Sequence, residues 1–362
     1  MGIVLFFGSF PLLVWNEGRA IARTKTLQIG AKEVVSIESA PVDPANNGKL
    51  VHVTGDASVE ETLTDPDFGI SATAIKLQRF VEMYQWTEEK ETETEKKLGG
   101  GEETVTTYSY KKAWSSSAVD SSEFQQPDGH ENPGGFPVQP GILTADPVSL
   151  GAFTLSEGLL DRMTQFETLE VKSGDLAKVE SDLRDKTKVS GGMFYLGADA
   201  SAPKVGDTRV SFQIVPTGTV SVIARQYRNS FEPYKVPGLG TLEMLETGTV
   251  SPEMMFAHEH EGNAMLTWIL RLVGFVAMFF GMLLVFKPLS VFADVVPFIG
   301  SLVGAGMGFL ALILSLPLSL LTIALAWVAF RPLVGIPLLI LSAVVLFYGI
   351  KTLGKRQQPK TA

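Results

Sequence analysis

The feature that most constrains this 362-residue chain is an apolar stretch covering residues 265–350. It holds one acidic residue, Asp294, and three basic residues, Arg271, Lys287 and Arg331. A soluble domain of that length needs a charged surface toward water, and this stretch offers none. We therefore expect it to lie in a lipid bilayer.

The apolar stretch divides into three predicted spans. Residues 265–286 are long enough to cross about 30 Å of hydrocarbon as a helix, and Lys287-Pro288 is expected to end that helix. Residues 299–330 are too many for one upright helix, so part of this segment is expected to lie in the interface or to tilt, with Pro317 as the bend. Residues 333–350 form the last span.

A fourth apolar segment begins the chain. Residues 1–15 are short for a full crossing, and we interpret them as a span whose upstream turn is missing, in preference to a cleaved signal peptide or a lipidated terminus. With four spans both termini lie on one side, and the unopposed basic tail, residues 351–362, places that side in the cytoplasm. Basic residues just after the first span argue weakly for the opposite orientation. Residues 16–264 are then extracytoplasmic or luminal.

The region between the first and second spans differs from the rest in charge. Residues 17–264 carry 23 basic and 38 acidic side chains, a formal charge of −15. Such a domain is a poor candidate for binding nucleic acid, which needs basic patches. The chain has no cysteine, which excludes disulfides, thiol nucleophiles and Cys-based metal sites.

Alternating apolar residues predict that this region is mainly β. Strands are expected over residues 49–55, over 77–87 and 104–114 as a hairpin with a solvated tip, and over 208–215 and 219–226 as a second hairpin. Ser156 is expected to cap a helix that continues through Thr168. The predicted fold class is an α+β membrane protein with one N-terminal and three C-terminal transmembrane helices and a mainly-β domain inserted between the first and second.

Several short motifs occur in the order that characterises a known family. They are Asn16-Glu17-Gly18-Arg19, then Glu82, Tyr84 and Trp86, then Asn132-Pro133, Gly206-Asp207 with Arg209, Arg225-Gln226 and Arg331-Pro332. The ordered set resembles the transmembrane protein 43 family, also called LUMA, over nearly the whole chain.

That resemblance implies a four-span protein with a large luminal domain, and it carries over no catalytic residue. Similar eukaryotic proteins sit in the endoplasmic reticulum and inner nuclear membrane, self-associate, and help organise membrane protein complexes that include lamins and emerin. Two features depart from the family pattern: the short first span, and the series Gly300, Gly304, Gly308. For this chain we favour a bacterial inner membrane, with the endoplasmic reticulum or inner nuclear membrane if it is eukaryotic.

The only segment with a density of side chains typical of metal ligands is Ala257-His258-Glu259-His260-Glu261. If this segment is helical, His258 and His260 point about 200° apart and cannot share a metal, whereas in an extended segment they share a face. A solvated linker is favoured over a weak metal or pH-sensing site. No zinc-protease helix, nucleophile elbow or Walker motif occurs, so neither a cofactor nor an enzymatic activity is expected.

Two features of the spans predict helix contacts. Arg271 lies about two turns inside the second span, where it either snorkels beside Trp268 or contacts another span. Gly300, Gly304 and Gly308 stack on one helical face, which favours close approach of another span or of a second copy.

Together these features predict a non-enzymatic scaffold in the lipid bilayer that forms homo-oligomers and organises other membrane proteins, with the β domain as its interaction surface. The alternative is an accessory subunit or component of a channel or transporter. Transport would call for several ionisable groups inside the membrane or paired broken helices, and the sequence shows neither.

Overall fold

The computed structural model describes residues 1–96, 102–293 and 297–330, with residues 336, 337, 340, 341, 344, 347 and 348 beyond them. The predictions for the basic tail, for Arg331-Pro332 and for most of the span 333–350 therefore lie outside the described residues.

The order of elements is one long helix, a β-rich region with two short helices, and two long helices. The helices are α1 Gly2–Glu33, α2 Glu157–Asp161, α3 Ser181–Arg184, α4 Pro252–Ala293 and α5 Pro297–Phe330. The strands are β1 Val35–Ile37, β2 Leu50–Val59, β3 Leu63–Thr64, β4 Ser71–Ala72, β5 Lys76–Lys96, β6 Glu102–Ser115, β7 Gly141–Thr144, β8 Val148–Leu150, β9 Phe153–Thr154, β10 Glu167–Leu169, β11 Thr187–Ser190, β12 Met193–Leu196, β13 Thr208–Val215, β14 Gly218–Tyr227, β15 Ser230–Glu232, β16 Tyr234–Val236, β17 Gly240–Leu242 and β18 Met244–Thr247.

Two seven-stranded sheets form the β domain. The first has the order β1-β2-β8-β9-β15-β14-β18, with β2 also paired to β14. The second has the order β11-β12-β13-β5-β6, with β10 beside β13 and β7 beside β5. Val53 and Val222 of the first sheet share one buried core with Val81, Val210 and Phe212 of the second. Burial of this apolar surface is the main force that stabilises the domain.

The opposite face of the first sheet packs against the helices. Leu50 on β2 and Ile223 on β14 are buried with Leu27 of α1 and with Met255 and Phe256 of α4. Because successive strand residues point to opposite faces, β2 and β14 are covered on both sides. Helices α1 and α4 are thereby attached to the β domain through a second hydrophobic core.

Two helices in the described part of the chain are long and apolar enough to cross a membrane, Pro252–Phe286 and Gly306–Ala329. Only 22% and 44% of their most apolar segments are buried. The core helix of a soluble protein would bury most of such a segment, so these two leave apolar surface for lipid to cover.

The helices are longer than the apolar runs from which they were predicted. Helix α1 continues past residue 15 to Glu33, and α4 begins at Pro252 instead of residue 265. The sequence predicts that residues 16–33 and 252–264 belong to the β domain, but they are helical because they pack on the first sheet and on each other. Helix α4 also passes Lys287-Pro288 and ends at Ala293, and α5 is unbroken at Pro317. A proline removes only one helical N–H donor, and helices in membranes tolerate that loss.

The hairpin of β5 and β6 is confirmed, with Met83 opposite Ser115 and Lys96 opposite Glu102. Most of the segment predicted as its solvated tip is strand. The predicted hairpin of β13 and β14 is wrong, although both strands exist: β13 pairs with β5 and β12, whereas β14 pairs with β2 and β18. Residues 216–217 carry the chain from one sheet to the other. Alternation predicts a strand without predicting its partner.

The helix expected from Ser156 to Thr168 is shorter than predicted. Helix α2 ends at Asp161, and the chain turns before β10 begins at Glu167. Leu159, Leu160 and Met163 are buried, as their helical spacing suggests, but the backbone has left the helix before Met163.

Candidate functional site: a buried polar junction between three helices

A carboxylate and a guanidinium meet inside the helical region. Arg271 of α4 binds Glu17 of α1 through two hydrogen bonds, Nε to Oε1 at 2.6 Å and Nη2 to Oε2 at 2.9 Å. The Glu17 side chain is 1% exposed and that of Arg271 is 14% exposed. This parallel two-bond geometry is the strongest form of a carboxylate contact with arginine. Arg271 is therefore held by another helix.

The third long helix contributes to the same carboxylate. Trp327 of α5 donates its indole N–H to Glu17 Oε2. The Arg271 guanidinium also lies over two rings, 4.7 Å from the centre of Trp268 and 5.2 Å from that of Trp327. Glu17 thus joins α1, α4 and α5 at one point, and the aromatic faces stabilise the cation that neutralises it.

A second set of polar contacts joins α1 to α4 beside this ion pair. Asn16 Nδ2 donates to the backbone oxygen of Thr267 at 3.0 Å. Arg19 donates to Asn263 Oδ1 at 3.0 Å and to Thr267 Oγ1 at 3.1 Å, and Asn263 Nδ2 donates back to the carbonyl of Ala20 at 3.0 Å. Residues three and four apart share a helix face, so the motif from Asn16 to Ala20 forms the contact with α4. Gly18 belongs to this same turn of α1.

The family motifs in the β domain form a separate cluster. Asn132 lies beside β5, where its side chain accepts from the backbone N–H of Trp86 at 2.8 Å and donates to the Trp86 carbonyl at 2.9 Å. The Asn132 side chain therefore makes the two backbone hydrogen bonds that a neighbouring strand would otherwise make with Trp86. The backbones of Gly206 and Asp207 pair with Tyr84 in the same way, at 2.9 and 2.8 Å, and Gly206 adopts a φ of +96° that favours glycine.

We expect Asn132→Ala to destabilise the β domain by about 2 kcal/mol, because it leaves the partly buried backbone N–H and carbonyl of Trp86 on β5 without partners. Chemical denaturation followed by circular dichroism measures this loss. Gln126→Ala, at an exposed position in the same loop, is the matched control and should stay near wild type. Equal stability of the two variants would contradict the structural role of Asn132.

Cross-strand side chains complete this cluster. Arg209 of β13 lies opposite Glu82 of β5, with Nε 2.6 Å from Oε2, and its guanidinium lies 4.6 Å from the centre of the Trp114 ring. The hydroxyl of Tyr195 donates to Asp207 Oδ2 at 2.6 Å. Burial and this carboxylate raise the pKa of Tyr195 above its usual value, so the phenol stays protonated as a donor.

Two further motif residues, Arg225 and Gln226, lie on β14, apart from the helical junction. Gln226 is fully buried and donates through Nε2 to the carbonyl of Asp43 at 2.9 Å. Arg225 pairs with Glu232 on the neighbouring strand at 3.5 Å. Both hold β14 in the first sheet.

The histidine segment is helical, as part of α4. His258 Nδ1 lies 2.9 Å from Glu246 Oε2 of β18, and His260 points toward a different side of the helix. Within the described ranges no group of three or more residues with metal-binding side chains comes together. The two histidines are not brought to one site.

The glycine series lies on α5. Gly300, Gly304 and Gly308 are all helical, and the structure describes the surroundings of Gly308 alone. A Cβ added to Gly308 would meet no described atom within 4 Å. Ala311, Ser315 and Ser319, which prolong the small-residue face, are buried.

The sequence singles out Arg271 and its neighbour Trp268, but it does not identify Glu17 and Trp327 as partners of Arg271. One signal was available, because a charge inside an apolar helix requires compensation, and Glu17 is the first charged residue after the apolar start of the chain. Trp327 gave no comparable signal.

The fold and the junction define an α+β membrane protein whose β domain is continuous with long apolar helices. The family whose sequence profile matches residues 83–332 is described as Transmembrane protein 43. Transmembrane protein 43 of rat is 38% identical over 92% of this chain and 84% of its own length, and the human protein is 37% identical over the same shares. The fruit fly homologue is 30% identical over 94% of this chain and 91% of its own. No solved structure matches. The chain belongs to the transmembrane protein 43 family.

Proposed function

We propose that this protein is a non-enzymatic membrane scaffold that self-associates and organises other membrane proteins, with the β domain as the interaction surface. One observation carries the proposal. Helices α1 and α4 both pack in the core under the first sheet, and the same two helices are joined by the buried Glu17–Arg271 pair. A partner bound to the β domain would be held at a fixed position and angle to the bilayer. The two members of the buried ion pair, Glu17 and Arg271, bind each other, which favours a mechanical role over a chemical one.

The proposed topology has four spans. Helix α1 supplies the first, α4 and α5 supply the two helices that meet the length and apolarity needed for crossing, and residues 333–350 supply the fourth. The β domain is then luminal or extracytoplasmic and the basic tail cytoplasmic. The compartment stays a prediction from the sequence, either a bacterial inner membrane or the endoplasmic reticulum and inner nuclear membrane. The β domain carries a formal charge of −15, which makes nucleic acid an unfavourable partner.

Self-association is proposed to use α5 at Gly308, where an added Cβ would meet no described atom within 4 Å. We expect Gly308→Leu to weaken it about tenfold, because a leucine side chain holds two helix backbones apart. The measurement is the oligomer fraction of the full chain in detergent, by light scattering and crosslinking across a dilution series.

Gly306→Leu is the matched control for this experiment. Gly306 is two residues from Gly308, so it faces about 200° away on the same helix, and a Cβ there also meets no described atom within 4 Å. The scaffold proposal requires wild-type association in Gly306→Leu and weakened association in Gly308→Leu. Equal association in both variants and in wild type would refute contact through this face.

A channel or transporter component is the second candidate, and the buried ionisable pair is the observation that favours it, since charges within spans often mark ion pathways. Flux through proteoliposomes that contain the purified chain distinguishes the two candidates. A scaffold gives the same ion leak as protein-free vesicles, whereas a pathway through the junction gives a leak that Glu17→Gln changes.

A further inference from the structure

A groove separate from the ion pair lies between α1, α4 and the hairpin of β16 and β17. Its volume is about 650 Å³. Trp15 and Leu266 line it at the apolar end, Arg19, Arg23, His258 and Glu259 line its polar part, and Leu239 and Gly240 line it on the side of the β domain. The groove therefore passes from an apolar to a cationic environment where the apolar helices meet the polar domain.

The charges of the groove do not balance. Arg23 binds Glu259 at 2.5 Å, and His258 contacts Glu246. Arg19 binds only the neutral oxygens of Asn263, Asn16 and Thr267, and its buried Nε has no hydrogen-bond partner in the described part of the chain. The nearby Glu17 carboxylate is already held by Arg271. One positive charge is left for an external anion.

The apolar end of the groove continues along the helices toward the bilayer. Trp15 is 58% exposed, and Val4 and Phe7 are exposed along the same side of α1. On α4 the exposed Leu266 is followed by Ile269 and Val273 at helical spacing. Tryptophan at the end of an apolar helix segment is typical of the level of lipid headgroups.

We infer that this groove binds one anionic glycerophospholipid. The phosphate lies between Arg19 and Arg23, whose guanidinium groups match phosphate geometry, and the acyl chains lie against Trp15 and Leu266. The contacts of Arg23 with Glu259 and with the Thr241 carbonyl use only part of its five donors. The lipid would tie the β domain to the bilayer surface, a role that extends the proposed scaffold without depending on self-association.

The test measures lipid binding to the full chain in detergent by native mass spectrometry, with dioctanoyl phosphatidylglycerol as the probe. We expect one tightly held lipid in wild type and about tenfold weaker binding in Arg23→Gln. Lys25→Gln is the matched control: it removes the same charge from an exposed position on α1 outside the groove and should bind as wild type does.

A second variant tests whether Arg23 binds the lipid or only stabilises the fold through its pair with Glu259. Glu259→Gln removes the anion that competes for Arg23, so it should bind the lipid more tightly than wild type. If the Arg23–Glu259 pair is only structural, both variants lose binding together with thermal stability, which would overturn the inference. Equal weakening by Lys25→Gln would do the same.

Two further probes identify the source of the phosphate. Dioctanoylglycerol lacks the phosphate and should bind at least tenfold more weakly than the phospholipid. Glycerol 3-phosphate lacks the acyl chains and should also bind weakly. Binding of glycerol 3-phosphate as tight as that of the lipid would identify a site for free phosphates and refute a lipid site.

Discussion

Arg271→Leu is expected to lower the free energy of unfolding by about 3–5 kcal/mol, the usual cost when one member of a buried ion pair is removed. Leucine fills the space but leaves the Glu17 carboxylate, 1% exposed, with the Trp327 indole as its remaining side-chain donor among the described residues. Thermal unfolding of the purified full chain in detergent, followed by tryptophan fluorescence, measures the loss. Because α1, α4 and α5 meet at this carboxylate, we also expect looser helix association in native gels, with membrane insertion unchanged.

The control for this prediction is the double variant Glu17→Gln with Arg271→Met, which removes both charges at similar volume. It should be more stable than Arg271→Leu, since no unpaired charge stays buried. If Arg271→Leu unfolds within about 1 kcal/mol of wild type, Arg271 snorkels to the interface in the membrane and the pair contributes nothing.

The class of the fold could be predicted because hydropathy and alternation act locally. The apolar stretch 265–350 and the strands β2, β5, β13 and β14 are each visible in a window of ten to twenty residues. On β5 the alternation correctly separates buried Val81 and Met83 from partly exposed neighbours. Gln85, in the same buried row, satisfies its amide through the backbones of Ser117 and Val119.

Partners distant in sequence could not be predicted in the same way. The pairing of β14 with β2 joins residues more than 160 positions apart, for example Gly218 with Ala57, and nothing in either strand specifies the other. The same limit applies to the helices. The apolar run of α1 ends at Trp15, but the helix continues because Leu27 packs against Leu50 of β2 in a buried core. Tertiary packing overrides the local boundary in both cases.

Only part of the candidate site could be predicted from the sequence, and the reason is physical. A charge in an apolar run stands out, so Arg271 could be singled out, whereas Glu17 sits at the edge of a polar segment where a carboxylate is unremarkable in sequence. In the sequence, the Asn16 to Ala20 motif stands out only through the family resemblance. Its role follows from geometry, because its side chains form the contact between α1 and α4.

Helices α1 and α4 also cross closely near the start of α1, and this crossing gives the second large expected effect. At Gly281 of α4, an added Cβ would lie 2.5 Å from the backbone nitrogen of Phe6, 2.8 Å from its Cα and 3.0 Å from the Gly2 carbonyl oxygen. Those atoms belong to the main chain of α1 and cannot rotate away. Gly281→Ala therefore has to push the helices apart.

We expect Gly281→Ala to cost about 3 kcal/mol of stability, since separating α1 from α4 strains packing along both helices. Gly8→Ala is the matched control: a Cβ at Gly8 meets no described atom within 4 Å, so this variant should gain up to about 1 kcal/mol from helix propensity. The two alanine substitutions thus have opposite expected signs in one thermal unfolding assay. A Gly281→Ala protein as stable as wild type would mean that the helices do not cross at this glycine.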